Sequence, residues 1–543
     1  MSLFIFDIPH LVDGVAQYIS THDLTQCVLV SQQWFFWFTP TLWRTINTQN
    51  ADNDQVQSAL ERHRGFVRYI VTSDTYKCFP SNTVITPIFP NLRSLDYTSR
   101  GQSCDEANIW RYLSTERSLN KLKLRFDNLL QNNARILSGI LASQPKLRQL
   151  DLTLNKSCDP TFIPKLFQAC KNCHSLSLVL RGVKDPEIGN EEESEEVYRV
   201  VKDAMEQLDH MQLQELTIQL SSTFQWRAIL AQLLRCCPQL ERFALRDLCD
   251  IYTLQQIVRI FQDDACPKLK HLCLKGVVWH EEEEDAADNV IRAFGFRQRR
   301  NRTGGGGGGG GSDKTRASKG GLESYEALNL VRFTQQSARA LGEFHADTLM
   351  TLELKFSFSV QFPVFAEVMN RLPNLLVLKA TIWVGSASGL SDIQDIETAL
   401  QSTWLCSGLK TIQLCAMYKH RYYKAGTSSL VDRGTTYLFE QIGRQLGLQE
   451  WTLESNVNLK CMKEGYLPKL TRLKRLRCFG LYVGLDFPLG EDEAEWMMLN
   501  WPRLVQVKCN FEDPWGDGFM SPRGSYDEFK SVLLTRRPWI QID

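Results

Sequence analysis

The chain lacks a surplus of charge of either sign and lacks any long hydrophobic run. Lysine plus arginine and aspartate plus glutamate each number 62 among 543 residues, so the formal net charge is zero. This balance argues against a chain-wide attraction to nucleic acid or to an anionic membrane. No apolar run is long enough to span a bilayer, and Asp7 and Asp13 interrupt the region where a secretory signal would be apolar. We therefore expect neither nucleic acid nor membrane as a partner, and a cytoplasmic or nuclear location.

Recognisable catalytic and metal-binding motifs are also missing. The sequence contains no G-x-x-x-x-G-K-[ST], H-E-x-x-H or G-x-S-x-G, and no G-x-G-x-x-G that opens a helix. The nine histidines are scattered, without the spacing to cysteine or aspartate that a zinc site needs. The eight glycines of Gly304–Gly311 are not followed by the lysine of a phosphate-binding loop. We expect a protein that is not an enzyme and has neither a cofactor nor a metal site.

The sixteen cysteines are expected to be reduced thiols, because no secretory signal accompanies them. Cys170-Lys-Asn-Cys173-His174 matches the attachment pattern of c-type haem, but it stands where a predicted helix meets a leucine-rich strand. A buried, structural role is the favoured interpretation of this motif and of Cys236-Cys237.

What the sequence does contain is a repeat. From residue 90 onward the phrase L-x-x-L-x-L recurs, and most steps between copies are 25 to 31 residues long. The first positions of the copies are 92, 119, 147, 173, 213, 240, 269, 349, 375, 409, 448, 473 and 504. The alternation predicts a short strand with one buried face, and the stretches between, such as Trp226 to Leu234, predict helices.

From about residue 66 to its end, the chain resembles leucine-rich-repeat proteins of the ribonuclease-inhibitor type. This resemblance implies an α/β fold: a horseshoe-shaped solenoid with parallel strands on the concave face and helices on the convex face.

Two steps are longer than the rest. The step of 40 residues contains the acidic stretch Glu187 to Glu196, which we expect to be a solvated loop. The step of 80 contains residues 281–321, which join an acidic run, an arginine cluster and the glycine run. Glycine-rich chain gains little from packing when it is ordered, so we expect 281–321 to be a disordered insertion. Without it 39 residues remain in that step, so a leftover helix or a concealed repeat is expected there.

The first 46 residues carry a second, ordered pattern. It consists of Ile8-Pro9, Asp23-Leu24, Val30-Ser31, Trp34 and Leu42-Trp43-Arg44. Apolar residues recur at helical spacing in two stretches, and Asp23 is a suitable N-cap for the second helix. Two such short helices bury too little to be stable alone, so another protein or the rest of the chain is expected to cover them.

Residues 4–46 resemble an F-box, and with the repeats they resemble the fungal type of F-box and leucine-rich-repeat protein. The resemblance implies that a small helical module docks on the Skp adaptor of a cullin-based ubiquitin ligase. The residues it assigns to the adaptor contact or to the module's core are Ile8, Pro9, Leu11, Val15, Leu24, Val30 and Trp34, with Leu42 and Trp43 closing the module. The alternative is an ordinary helical cap on the larger domain.

The resulting domain plan has five parts. They are an F-box-like module at 1–46, a linker and cap at 47–89, repeats at 90–280, the insertion at 281–321, and repeats with a C-terminal cap at 322–543.

Five basic residues near the C-terminus mark a candidate substrate-binding surface. Arg477 and Lys508 are read as concave-face positions, because successive strand side chains alternate between faces. Lys474, Arg475 and Arg503 lie nearby in the sequence. Such a cluster would favour an acidic or phosphorylated segment of a protein, although exposed cations also simply keep a surface soluble.

The leading hypothesis is a substrate-recognition subunit of an SCF-type ubiquitin ligase, in the pathway that leads to proteasomal degradation. The rival hypothesis is a leucine-rich-repeat scaffold or inhibitor that binds a protein without causing its degradation.

Overall fold

The computed structural model describes most of the chain. The described residues are 9–47, 54–73, 89–99, 103–115, 117–127, 131–155, 161–181, 191–220, 226–249, 251–263, 265–277, 288–293, 321–328, 333–355, 360–383, 391–417, 428–455, 465–482, 489–510 and 523–543. They form two compact units, Met1–Leu240 and Glu241–Asp543.

The first unit begins with helices and continues as alternating strands and helices. Its described helices are α1 Pro9–Ala16, α2 Thr21–Val30, α3 Gln32–Leu42, α4 Asp54–His63, α5 Ser103–Thr115, α6 Gln131–Ala142, α7 Phe162–Ala169, α8 Glu191–Glu206 and α9 Trp226–Arg235. Its described strands are β1 Thr45–Asn47, β2 Tyr69–Ser73, β3 Ser94–Ser99, β4 Lys121–Phe126, β5 Gln149–Leu154, β6 Ser175–Leu180 and β7 Glu215–Leu220. Each strand pairs in parallel with the next one along the chain.

The second unit repeats the same alternation. Its described strands are β8 Arg242–Cys249, β9 His271–Val277, β10 Ser324–Leu328, β11 Thr351–Lys355, β12 Val377–Trp383, β13 Thr411–Met417, β14 Glu450–Ser455, β15 Cys478–Tyr482, β16 Gln506–Asn510 and β17 Gln541–Ile542. Its described helices are α10 Ile251–Gln262, α11 Gln335–His345, α12 Phe362–Met369, α13 Ser391–Leu400, α14 Ser428–Gly443, α15 Glu491–Asn500 and α16 Arg523–Arg536, with a 3-10 helix at Leu467–Leu470. These strands are parallel as well.

The predicted α/β repeat architecture is therefore confirmed. In β4 the second and third apolar positions of the phrase, Leu122 and Leu124, are buried, while Lys123 between them is only partly covered; most other repeats share this pattern. We call the latter side of the sheet its open face. Helices supply the other half of the core: the rings of Trp110 in α5 and Phe126 in β4 stack at 5.2 Å.

A backbone ladder fixes the spacing of the repeats. The carbonyl of the residue just before one strand accepts hydrogen bonds from two backbone N–H groups: those of the residue just before the next strand and of that strand's first residue. The carbonyl of Arg93, for example, accepts from Asn120 and Lys121 at 2.8 and 2.9 Å. Residues just before successive strands are thereby held one strand spacing apart, about 4.8 Å.

The array starts earlier than residue 90 and contains one concealed repeat. Strand β2 lies where a linker and cap were expected, because its apolar positions are Val67 and Ile70 rather than leucine. Strand β1, which pairs with β2, lies at the end of the segment assigned to the N-terminal module. The concealed repeat is β10, which pairs with both β9 and β11. Its buried positions are Leu322, Tyr325 and Ala327, so only the first of them is a leucine.

The register predicted for the repeat near residue 473 is wrong. Thr452 of β14 pairs with Gly480, which pairs with Lys508 of β16. The phrase is therefore Leu476-x-x-Phe479-x-Leu481, and Gly480 rather than Arg477 stands on the open face. The error arose because Leu473 mimics the first leucine while Phe479 replaces the second.

Two segments are helical where a solvated loop and a disordered insertion were expected. Residues from Glu191 onward belong to α8, whereas the acidic stretch was read as a solvated loop. Residues 288–293, inside the supposed disordered insertion, are helical, and Asp288, Val290 and Ile291 are buried. The glycine run itself lies outside the described residues.

Candidate protein-binding surfaces

The N-terminal module is built from the described helices α1, α2 and α3 around a small apolar core. Val12, Ala16, Leu24 and Phe38 are buried, and partly buried side chains including Trp34 pack against them. The rings of Trp34 and Phe38 lie 5.4 Å apart.

Two serines start the module's second and third helices. The Ser20 hydroxyl accepts a hydrogen bond from the Asp23 N–H at 3.2 Å, so Ser20 rather than Asp23 caps α2. The Ser31 hydroxyl accepts from the Trp34 N–H at 3.1 Å and caps α3. Each cap satisfies an N–H group that the first helical turn would leave without a partner. The Val30-Ser31 pair of the sequence pattern thus marks the boundary between two helices.

Among its described residues, the same module has more exposed large apolar side chains than fully buried ones. The exposed ones are Leu11, Val15, Tyr18, Leu29, Val30, Phe35 and Phe36. Val30 is 64% exposed and Phe36 is 79% exposed, which leaves most of both side chains in water. Leu11 and Val15 are four residues apart on α1 and so share one side of that helix, next to the stripe that Val12 and Ala16 bury. Surplus apolar surface of this kind is typical of a protein-binding site.

The predicted adaptor-binding residues divide between this surface and the core. Leu11, Val15 and Val30 are exposed, Leu24 is buried, and Trp34 is partly buried. Leu24 therefore stabilises the module from inside instead of presenting its side chain to a partner. Of the remaining two predicted residues, Pro9 begins α1 and Ile8 lies outside the described residues.

Two contacts join the end of the module to neighbouring elements. Arg44 forms an ion pair with Asp13 of α1, with Nη2 and Oδ1 3.1 Å apart. The ring of Trp43 stacks on His63, the last residue of α4, at a centroid distance of 4.7 Å. Trp43 thus connects the module to α4, and Leu42 packs against the module's core.

Charged residues on the open face of the sheet tend to neutralise each other. Lys123 Nζ lies 2.9 Å from Asp96 Oδ2 in the first unit, and Lys379 Nζ lies 3.0 Å from Glu353 Oε2 in the second. Lys355 also approaches Glu353, at 3.4 Å. Facing residues of adjacent strands are close enough for such pairs. These positions therefore offer little uncompensated charge to a ligand.

The structure does not bring the five predicted substrate-binding cations onto one face. Lys508 is a partly buried open-face residue of β16. Lys474, Arg475, Arg477 and Arg503 lie in the segments that lead into β15 and β16, and all four are exposed. Lys474 Nζ donates to the backbone carbonyl of Asn500 at 3.0 Å. Their role in binding an acidic substrate stays a prediction.

A basic cleft that the sequence analysis missed lies in the first unit. It has a volume of about 500 Å³ and is lined by Pro90, Asn91, Leu92, Arg93, Ser118, Asn120, Lys146 and Arg148. Three of these residues are cationic and none is acidic. The signal in the sequence is an arginine just before each of strands β3 and β5, at positions that the leucine phrase does not mark.

The cysteine pairs are in apolar surroundings, as expected. Cys170 and Cys173 are both buried, and the hydrogen bond between them together with burial raises the pKa of the Cys170 thiol well above its usual range. Cys173 Sγ lies 3.8 Å from the carbonyl of Leu147. Among the described residues no three potential metal ligands lie together, and no helix there is long and apolar enough to cross a membrane.

No family model matches the chain, and no curated protein matches it. Solved structures do match, among them the crystal structure of the Rad7 and Elc1 complex in yeast. That match has 13% sequence identity and a TM-score of 0.31, and it covers 71% of this chain and 85% of the matched one.

Proposed function

We propose that this chain is a substrate-recognition subunit of an SCF-type ubiquitin ligase. Its N-terminal module binds a Skp-type adaptor, its repeats bind a protein substrate, and the adaptor connects both to the cullin. The chain performs no chemistry itself and contributes position and effective concentration. The observation that supports the proposal is the apolar surface of the module, whose seven exposed large apolar side chains outnumber its four fully buried ones.

Physical reasoning supports a protein partner at this surface. Val30 and Phe36 are exposed on helices that Ser20 and Ser31 cap, so the backbone that carries both side chains is already helical before a partner binds. Burying one side chain of this size contributes roughly 1.5 to 3 kcal/mol, so a few of them suffice for a specific complex.

Binding of the purified full-length chain to a purified Skp-type adaptor, measured by calorimetry, tests the proposal. Val30→Asp and Phe36→Asp should each weaken binding at least about tenfold, because each places a charge in an apolar contact. Leu499→Asp is the matched control: Leu499 is an equally exposed apolar residue of α15 in the second unit. Its affinity for the adaptor should equal that of the unchanged chain.

The outcomes separate the proposal from its rival. Failure of the unchanged chain to bind any Skp-type adaptor contradicts the ligase role and favours a repeat scaffold or inhibitor. Adaptor binding that is insensitive to both module variants contradicts the assignment of the surface.

A further inference from the structure

The basic cleft of the first unit is organised by the repeat ladder. Arg93, Asn120 and Arg148 each occupy the position just before a strand, and their backbones are linked by hydrogen bonds from one repeat to the next. Arg93 and Arg148 are therefore two strand spacings apart, about 10 Å, with Asn120 between them. Lys146 lies two residues before Arg148 and lines the same cleft.

The cations of the cleft have no carboxylate to neutralise them. Within the described ranges, Arg93, Lys146 and Arg148 form no ion pair, in contrast to Lys123 and Lys379 on the open face. Arg148 donates one guanidinium N–H to the carbonyl of Asn172 at 3.0 Å, which orients the group and leaves its other donors available. Ser118 and Asn91 each donate to a backbone carbonyl, at 2.6 and 2.7 Å, which fixes the cleft's polar walls.

We infer that this cleft binds a phosphate monoester, presented as a phosphorylated serine or threonine on a segment of a partner protein. Two guanidinium groups and one ammonium group in the same cleft match the charge and the several acceptor oxygens of a dianionic phosphate. All three cations are exposed, so each contact alone is weak and a free phosphate ion is held only loosely. A phosphoryl group on a peptide gains the further contacts it needs from the chain on either side.

Nucleic acid also offers phosphates, but it presents them as a long row of monoanionic diesters. Such a ligand is favoured by an extended basic stripe. Here the residues just before the next two strands, β6 and β7, are His174 and Gln214, so arginine does not continue on that side of the cleft. On the other side the residues just before β2 and β1 are Arg68 and Arg44, and Arg44 already forms an ion pair with Asp13.

The inference rests on the proposed function only in so far as the phosphorylated segment would be the substrate.

Binding of the full chain to an immobilised, degenerate library of phosphoserine and phosphothreonine peptides tests the inference. The same library without phosphate is the reference. The phosphorylated library should be retained, and inorganic phosphate should compete. The double variant Arg93→Gln with Arg148→Gln should lose at least about tenfold in affinity. Arg148→Lys, which keeps the charge but not the two-pronged donor, should lose part of it.

The matched control is Arg259→Gln, at an exposed arginine of α10 in the second unit, which should bind the library as the unchanged chain does. Equal retention of both libraries, or full binding by the double variant, overturns the inference. So does cleft-dependent binding of single-stranded RNA without binding of phosphopeptides. Adaptor affinity measured on the double variant should be unchanged, and Val30→Asp should keep its phosphopeptide affinity, so the two proposals fail separately.

Discussion

At the scale of single residues, His345 shows how burial makes folding depend on pH. Its ring is fully buried, the Leu322 N–H donates to Nδ1 at 3.3 Å, and Nε2 lies 3.1 Å from the carbonyl of Ile291. Because Nδ1 must accept, the proton is on Nε2, which donates to Ile291. The ring is thus neutral, and burial lowers its pKa to about 4.

The pH dependence of stability should follow from that shift. The His345 ring is protonated near pH 6.5 in the unfolded chain but only near pH 4 in the folded chain. The contribution of the neutral, buried ring to the free energy of unfolding is therefore complete above pH 6.5 and is lost as the pH falls towards 4. The full difference is roughly 3 kcal/mol. Chemical unfolding of the second unit, followed from pH 7 to pH 5, should show the loss. His345→Gln should be less stable at pH 7 but have a flatter profile, and an unaltered profile in that variant would contradict the assignment.

Leu24 and Val30 allow the core and contact roles of predicted module residues to be separated. Leu24 is buried in the module's core, so Leu24→Ala should cost roughly 2 to 4 kcal/mol and reduce hydrogen-exchange protection in α1 and α2. Val30 is largely exposed, so Val30→Ala should change stability by no more than about 0.5 kcal/mol. Both variants should weaken adaptor binding, Leu24→Ala through loss of the module's fold. Equal protection in the two variants would show that Leu24 is not structural.

At the scale of elements, the close approach of α14 to the 3-10 helix depends on a glycine. A Cβ at Gly443 would lie 2.1 Å from the backbone oxygen of Lys469, which cannot turn away as a side chain can. Gly443→Ala should therefore destabilise the second unit by about 1 to 3 kcal/mol. Gly139 of α6 is the matched control, since a Cβ there meets nothing within 4 Å and alanine favours a helix. Gly139→Ala should stabilise by about 0.5 to 1 kcal/mol, and melting curves that shift the same way would refute the reasoning.

The elements that sequence reasoning misread share a physical cause. Leucine spacing predicted most strands because one aliphatic side chain per position fills the space between sheet and helix. Near β15 that space is filled by rings instead: Phe479 lies 5.0 Å from Trp451 and 5.2 Å from Trp501. Aromatic residues fill the same volume without repeating the leucine letters, so a leucine-based reading shifted the register there.

At the scale of the whole molecule, the fold class could be predicted and the candidate sites only in part. Periodicity is local in sequence, and it correctly gave the alternation of parallel strands and helices. The basic cleft combines Arg93, Asn120 and Arg148, which come from three different repeats and meet only through strand pairing. Likewise, the apolar stripes of the module predicted helices, but which residues face outward depends on how α1, α2 and α3 pack.

The segment expected to be a disordered insertion provides the last test at this scale. Its described part, residues 288–293, carries the buried carboxylate of Asp288, which accepts hydrogen bonds from Thr334 Oγ1 at 3.3 Å and from Ser337. The backbone of Ile291 accepts from His345, so this turn is tied to α11 at two points. Deleting residues 282–320 removes those contacts together with the buried side chains of Val290 and Ile291.

We expect that deletion to lower the melting temperature of the second unit by several degrees, since buried partners of Ser337 and His345 would be lost. Deleting only Gly304–Gly311 is the matched control. Shortening a long connection changes its closure entropy by only a fraction of about 0.6 kcal/mol, the value for a twofold change in length. Thermal unfolding of both variants decides the matter: the short deletion should melt with the unchanged chain and the long one well below it. Coincident melting of the two deletions would mean that residues 288–293 contribute nothing to stability, despite their burial.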